Sequence, residues 1–272
     1  MLVATMVGVL LVISAPLAAQ PTFVSINACT DQLLIALADP AQILGITRYS
    51  RDPAQSPVAA QAARLPVVSG TAEEVLATRP DVVLAGRFTR RATREFLRAR
   101  GVRLVEVDAA RSLDEAKRQI VEVAQLVGHP ERGEAAIQAI DSALARARAA
   151  SAGATGSILP LQRRGWIAGQ DTLTTSLVEA LGLRNAGAAL GGALGRQVGL
   201  EQIVALRPDY LLLSEAGRPE DQGTAMLQHP ALTALYPAHK RLVLPERLIF
   251  CGGPALAGAI DMLATGIAKL RR

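Results

Sequence analysis

Aromatic side chains are scarce. Four Phe, three Tyr and one Trp make up 3% of the 272 residues. A core must therefore be built from aliphatic side chains, and any ring beside a cleft becomes a candidate contact. There are only three histidines and two cysteines. Capture of bare Zn²⁺ or Mn²⁺ needs several His or carboxylate ligands. His129 and His229 precede proline in apparent loops and His239 sits beside Lys240, so all three read as surface residues and no metal site is expected. Catalytic signatures are also missing: no Gly-x-Ser-x-Gly elbow, no P-loop and no HExxH, while GALGRQVG lacks the spacing of a dinucleotide fingerprint. One enzymatic alternative survives, in which Cys29 acts as nucleophile with a distant histidine as base. No cofactor is expected.

Beyond the first twenty residues, no run approaches the roughly 18 apolar residues of a membrane span. The excess of basic over acidic residues, 29 against 24, gives a net charge of +5. Nucleic-acid binding would need those charges on one face or one helix. Here they are scattered, apart from Arg87, Arg90, Arg91 and Arg94, and nucleic acid is not an expected partner. The opening stretch MLVATMVGVLLVISAPLAAQ has no charged side chain. Its apolar run from Leu2 to Ile13 is too short to span a bilayer comfortably and is followed by the small residues Ala18 and Ala19, the form of a signal peptide over residues 1–19, although no basic residue precedes the run. In an oxidising compartment Cys29 and Cys251 can pair. Both fall at predicted strand-to-helix turns, and free thiols contacting a ligand or soft metal are the alternative.

From Pro21 onward, strand-like and helix-like segments alternate. PTFVSI is followed by CTDQLLIALA, whose Thr30 or Asp31 is placed to cap a helix. DVVLAG is a β-branched apolar run typical of a strand buried on both faces. This βαβα order predicts an α/β fold with mainly parallel sheets. A long helical pattern from Ser112 to about Ser151 is interrupted at GHPERG, where Pro130 cannot continue a helix. An internal repeat is more informative. EEVLATRPDVVLAG, residues 73–86, matches EQIVALRPDYLLLS, residues 201–214, with the same Glu-to-RPD spacing. A repeat this far apart points to two related lobes, because solenoid repeats recur every 20–50 residues.

The segments FVSINACTDQLLIAL with ILGITRYS, LPVVSGTAEEVLATRPDVVLAG, and LEQIVALRPDYLLLS occur in this order along nearly the whole chain. In this the sequence resembles the class III periplasmic substrate-binding proteins, which serve ferric-siderophore, haem and vitamin B12 importers. The resemblance implies two Rossmann-like lobes, residues 20–128 and 153–272, bridged by one long helix within 129–152. It implies a monomeric, non-enzymatic, periplasmic protein that closes slightly on a small ligand and delivers it to an ABC permease at the inner membrane. It also implies one permease-docking carboxylate per lobe, at Glu73 and Glu201, with the adjacent Glu74 able to stand in for Glu73.

Open α/β sheets bind ligands beyond the carboxyl ends of their strands. That rule selects Arg48, Tyr49 and Arg51 after one strand, Arg87, Phe88 and Arg90 after another, and Trp166, Glu215, Phe250 and Cys251 in the second lobe. Tyr49 lies where the vitamin B12-binding relatives place a tyrosine. Tyr49, Trp166 and Phe250 offer flat apolar contact, while Arg48, Arg87 and Arg90 could hold an anionic chelate. A ferric siderophore is the first expected ligand and a corrinoid the second. Haem is disfavoured because haem-binding relatives often carry tyrosine where this chain has Ser69-Gly70.

Overall fold

The computed structural model describes residues 20–152, 155–190, 192–214 and 222–270. The predicted export signal, residues 1–19, and Glu215 lie outside the described residues. None of the described helices is long and apolar enough to cross a membrane.

Two sheets form, each from one copy of the repeat and its surroundings. The first contains β1 (Phe23–Ser25), β2 (Ile43–Thr47), β3 (Val67–Val68), β4 (Val82–Ala85) and β5 (Arg103–Glu106). Its order is β3-β2-β1-β4-β5 and every pairing is parallel. All four residues of β4 are buried, as its unbroken apolar run requires. The crossovers carry helices α1 (Ala28–Leu37), α2 (Ala59–Ala62), α3 (Ala72–Thr78) and α4 (Arg91–Ala99).

Helices α5 (Leu113–Val127) and α6 (Pro130–Ala150) lead from the first sheet to the second. Gly128 adopts φ +86°, and Pro130 opens α6. The second sheet contains β6 (Ser157–Leu161), β7 (Trp166–Ala168), β8 (Arg184–Asn185), β9 (Gly195–Gln197), β10 (Tyr210–Leu213) and β11 (Arg241–Val243). Its order is β11-β10-β6-β7-β9, with β8 also on β6; β7 and β9 run antiparallel. The reversal comes from the polar QRRG turn, which folds β7 back on β6 as a hairpin. Helices α7 (Leu173–Ala180), α8 (Leu200–Leu206), α9 (Pro230–Leu235) and α10 (Leu256–Leu270) complete this lobe.

The repeat proves to be a structural device. After α3, Arg79 takes the left-handed conformation at φ 51°, ψ 53°; after α8, Arg207 does so at φ 45°, ψ 52°. Such a backbone is strained for a residue with a Cβ and persists only where its surroundings enforce it. The aspartate two positions on provides the enforcement. Asp81 Oδ2 accepts bonds from Thr22 N and Oγ1, both 2.7 Å, and Asp81 N donates back to Thr22 Oγ1 at 3.3 Å. Asp209 repeats this with Ser157 N (2.7 Å) and Oγ (2.9 Å), its own N donating to Ser157 Oγ at 3.1 Å. Each RPD therefore clips the start of its strand to the first strand of the lobe. These bonds hold both carboxyls below the usual carboxylate range.

One apolar core runs through both lobes, from Phe23 and Leu84 past Ile120, Ile140 and Ala143 to Leu212 and Leu256. Helices α5 and α6 approach closely: a Cβ on Gly133 would stand 2.6 Å from Ala124 Cβ. Ion pairs Lys117–Asp141 and Arg146–Asp261 (2.8 Å) fasten α6 to α5 and to α10. His129 corrects its reading as a surface residue. Its side chain is only 13% exposed, and Nε2 lies 3.0 Å from Asp39, which also accepts from Arg132 at 2.5 Å. This cluster anchors the α5–α6 elbow to the first lobe. His229 and His239 are exposed as expected.

Candidate functional site

The carboxyl ends of β4 and β5 face loops of the second lobe, with a cavity of about 210 Å³ between them. The first lobe contributes Arg87, Phe88, Ala109, Ala110 and Arg111. The second contributes Gln162, Leu194, the start of α7 from Asp171 to Thr174, and Glu246, Ile249 and Phe250. The cavity adjoins a groove of about 570 Å³, with which it shares Arg111, Asp171 and Thr172.

Two exposed rings stand on its walls. Phe88 is 81% accessible and Phe250 59%. A protein this poor in rings has placed two of its eight here. Exposed apolar groups gathered around one cavity mark a binding surface, since their burial by a ligand is favourable. Four lining residues are charged, two of each sign: Arg87 and Arg111 against Asp171 and Glu246. Both arginines already have acidic partners in their own lobe. Asp108 accepts from Arg87 N at 2.7 Å and lies 3.4 Å from its Nε. Glu115 accepts from Arg111 N at 2.9 Å and stands 4.0 Å from its Nε. Glu246 differs: burial pushes its carboxyl above the usual range, opposed only by the nearby Arg163.

Of the expected ligand contacts, the cavity unites Arg87, Phe88 and Phe250. Tyr49 and Arg48 occupy a short turn after β2, stacked on each other with the guanidinium 5.2 Å from the ring centre. Tyr49 is 46% exposed, but neither residue lines the cavity. Trp166 is 40% exposed at the start of β7, and its carbonyl accepts from Gln162 N at 2.7 Å, one residue from the cavity wall. Cys251, expected among the ligand contacts, is 2% exposed and bonded to Cys29, with Cα atoms 4.9 Å apart. Its sulfur is therefore buried and bonded, which removes both the free-thiol alternative and Cys29 as a nucleophile. The bond lies under the cleft floor: a Cβ on the neighbouring Gly252 would come 2.7 Å from Ala110 of one lobe and 3.4 Å from Leu173 of the other.

Neither Thr30 nor Asp31, the two residues expected to cap α1, does so: Thr30 Oγ1 donates to Asn27 O at 2.9 Å, and Asp31 turns inward and is wholly buried. The cap of α1 is Asn27, whose side chain accepts from Cys29 N at 2.9 Å. Asp31 Oδ2 instead accepts from Thr47 N (3.0 Å), Thr47 Oγ1 (2.5 Å) and Ser50 Oγ (2.6 Å), while Oδ1 has no partner among the described residues. Burial outweighs these bonds and the opposing effect of the Ser25 hydroxyl, and raises its pKa to about 6. Since Thr47 and Ser50 bracket Arg48 and Tyr49, Asp31 fixes the turn that carries them.

Glu73 and Glu201 occupy the first turns of α3 and α8, both exposed. The residue after each is engaged locally. Glu74 accepts from Ser69 N at 2.7 Å and from its hydroxyl, and Gln202 accepts from Gly199 N at 3.2 Å. Glu74 is thus committed to its own loop, leaving Glu73 as the outward carboxylate.

The cavity lining missed by the carboxyl-end rule comprises Ala109 to Arg111, Gln162, Asp171 to Thr174, Leu194, Glu246 and Ile249. Asp108 to Arg111 directly follow β5, so the rule applied to that strand finds them. Glu246 and Ile249 likewise follow β11.

Among solved structures, the fold is similar to the periplasmic heme-binding protein RhuT from Roseiflexus sp. RS-1 in apo form, at 24% identity and TM-score 0.76, covering 93% of this chain and all of that one. A periplasmic heme-binding protein from Pseudomonas aeruginosa matches at 23% and 0.72, covering 91% and 92%. The periplasmic vitamin B12 binding protein BtuF of Vibrio cholerae matches at 18% and 0.69, covering 93% and 98%. No curated protein matches. Residues 23–241 match the periplasmic binding protein family, a span that includes both copies of the repeat and most of the cavity wall. The chain therefore belongs to the periplasmic binding protein family.

Proposed function

We propose that this protein captures a metal chelate whose metal is already fully coordinated, a corrinoid in first place, and delivers it to an ABC permease. The observation that carries this reading is the cavity wall: two exposed phenylalanines, charges that cancel, and among the described lining residues no His, Tyr, Met or free thiol. Haem iron held by a protein takes axial ligands of those types, and a bare ion needs several donors. A corrinoid arrives with its metal coordinated, offers a large apolar ring face, and carries neutral amides on its rim. Cavity and groove together fall in the size range of small-molecule sites. Closure of the lobes would bring the exposed Tyr49 and Trp166 rings into this aromatic contact.

A ferric siderophore is the second reading, favoured by Arg87 and Arg111 in the first-lobe wall. It ranks lower because Asp108 and Glu115 already partner those charges. In both readings residues 1–19 direct export, the mature chain is a monomer, α6 bridges lobes 20–128 and 153–272, and Glu73 and Glu201 dock on the permease. Complementary charge pairs steer such encounters and fix their register.

The test is calorimetric titration of mature protein with cyanocobalamin, a ferric trihydroxamate, a ferric catecholate, hemin and MnCl₂. Corrinoid binding alone, or tightest, is the expected outcome. Tightest binding of a ferric chelate would transfer the assignment to the second reading, and preference for hemin or Mn²⁺ would overturn both.

A further inference from the structure

Glu246 is the one charged cavity residue that is both half-buried and without a hydrogen-bond donor among the described residues. Arg87 and Arg111 have their own-lobe carboxylates, and Asp171 is exposed, its loop tied by its backbone N–H to Ala193 O at 2.7 Å. Glu246 instead sits in the short turn after β11, its carbonyl accepting from Ile249 N (3.0 Å) and Phe250 N (2.9 Å). The same turn therefore positions a carboxylate and the exposed Phe250 ring on one wall. A carboxylate offers acceptor sites only, so unsatisfied capacity in a partly desolvated position calls for an incoming N–H or O–H. It also repels a carboxylate brought to the same place.

Resting on the proposed function, we infer that Glu246 is the specificity-determining residue of the cleft: its carboxylate accepts a hydrogen bond from an amide or hydroxyl on the rim of the chelate stacked against Phe250, and rejects chelates that present a carboxylate there. The adjoining groove has the same polarity, with Asp114, Glu115, Asp171 and Glu179 in its lining against a single arginine, Arg111. The site thus selects a neutral, donor-bearing rim over an acidic one. A site built to hydrogen-bond a donor discriminates strongly against the analogue that lacks it, because its own polar group is left unpaired.

Two probes differing only at the rim test this: cyanocobalamin, and its monocarboxylic acids in which one side-chain amide is hydrolysed. Both are titrated into wild type and E246Q, with E246A as a second variant and thermal unfolding as the check on folding. Wild type is expected to bind the amide form about tenfold or more tighter than at least one of the acids. In E246Q, whose side-chain amide can meet either group, the two should fall within about twofold, with E246A weaker toward the amide form. An unchanged ratio in both variants, with corrinoid binding intact, would overturn the assignment of Glu246 alone. Absence of binding by any corrinoid to folded wild type would overturn the functional reading and this assignment with it.

Discussion

Replacing Asp31 by Asn should change how stability depends on pH more than stability itself. In the folded chain the Asp31 carboxyl titrates near pH 6, because burial opposes its charge more than the hydroxyls of Ser25, Ser50 and Thr47 and the Thr47 N–H favour it. Unfolded, it returns to 3.8. The folded state therefore binds the proton more tightly, and stability from this group falls as pH rises from about 4 to about 6. A displacement of about two pKa units corresponds to about 3 kcal/mol in full, of which about 2 kcal/mol lies between about pH 4.5 and 7.5. The Asn variant keeps an acceptor for Thr47 and Ser50 but binds no proton. Its stability relative to wild type should thus improve by about 2 kcal/mol across that interval. Urea unfolding of both proteins at matched pH values measures this, and taking the difference cancels the carboxylates they share. A difference that stays flat would show that the hydrogen bonds to Asp31 fully offset its desolvation, and would refute the reasoning.

The two RPD clips make a paired prediction. Asp81→Ala and Asp209→Ala should each lower the unfolding midpoint at neutral pH, and their effects should add because they act in separate lobes. Their folded pKa values are depressed, so this stabilisation exists above the unfolded pKa and is lost as pH falls through the folded value. Each variant should therefore be less acid-sensitive than wild type, as acid titration followed by circular dichroism would show. Phe88→Ala and Phe250→Ala should each weaken chelate binding about three- to tenfold by calorimetry while leaving thermal stability nearly unchanged, since both rings are exposed in the free protein. Glu73→Ala and Glu201→Ala should leave ligand affinity intact but reduce ligand-stimulated ATP hydrolysis by the reconstituted permease about tenfold, the double variant being worst. Equal loss from Glu74→Ala without loss of folding would contradict the assignment of Glu73.

Much of the architecture was readable because it rests on local rules. The unbroken VVLA run is a buried strand, Gly128-His129-Pro130 is a helix break, and the repeated RPD marks equivalent corners of the two lobes. What stayed hidden depends on elements brought together only by folding. Asp31 sits in the first turn of a helix, where an acid ordinarily faces the backbone amides, and only the approach of β2 reveals its inward role. His129 reads as a loop residue until Asp39, 90 positions earlier, closes over it. The cavity wall combines turns after β4, β5 and β11 with the start of α7, and no periodicity in any one segment announces that they face one another. The aromatic scarcity was informative for Phe88 and Phe250 because exposure of a ring is costly unless it has a use; Cys251 misled because a cysteine at a cleft-side turn looks the same whether it contacts ligand or another cysteine.

The bond between Cys29 and Cys251 also orders events in the life of the chain. Its partners are 222 residues apart, one near each end. Because synthesis runs from the amino terminus, every strand of both sheets and both linking helices are made before Cys29 has its partner. The first lobe must hold itself together meanwhile with an unpaired thiol under what will become the cleft floor. A chain cut short anywhere before residue 251 keeps that thiol for good, so alkylation of Cys29 distinguishes an unfinished molecule from a finished one.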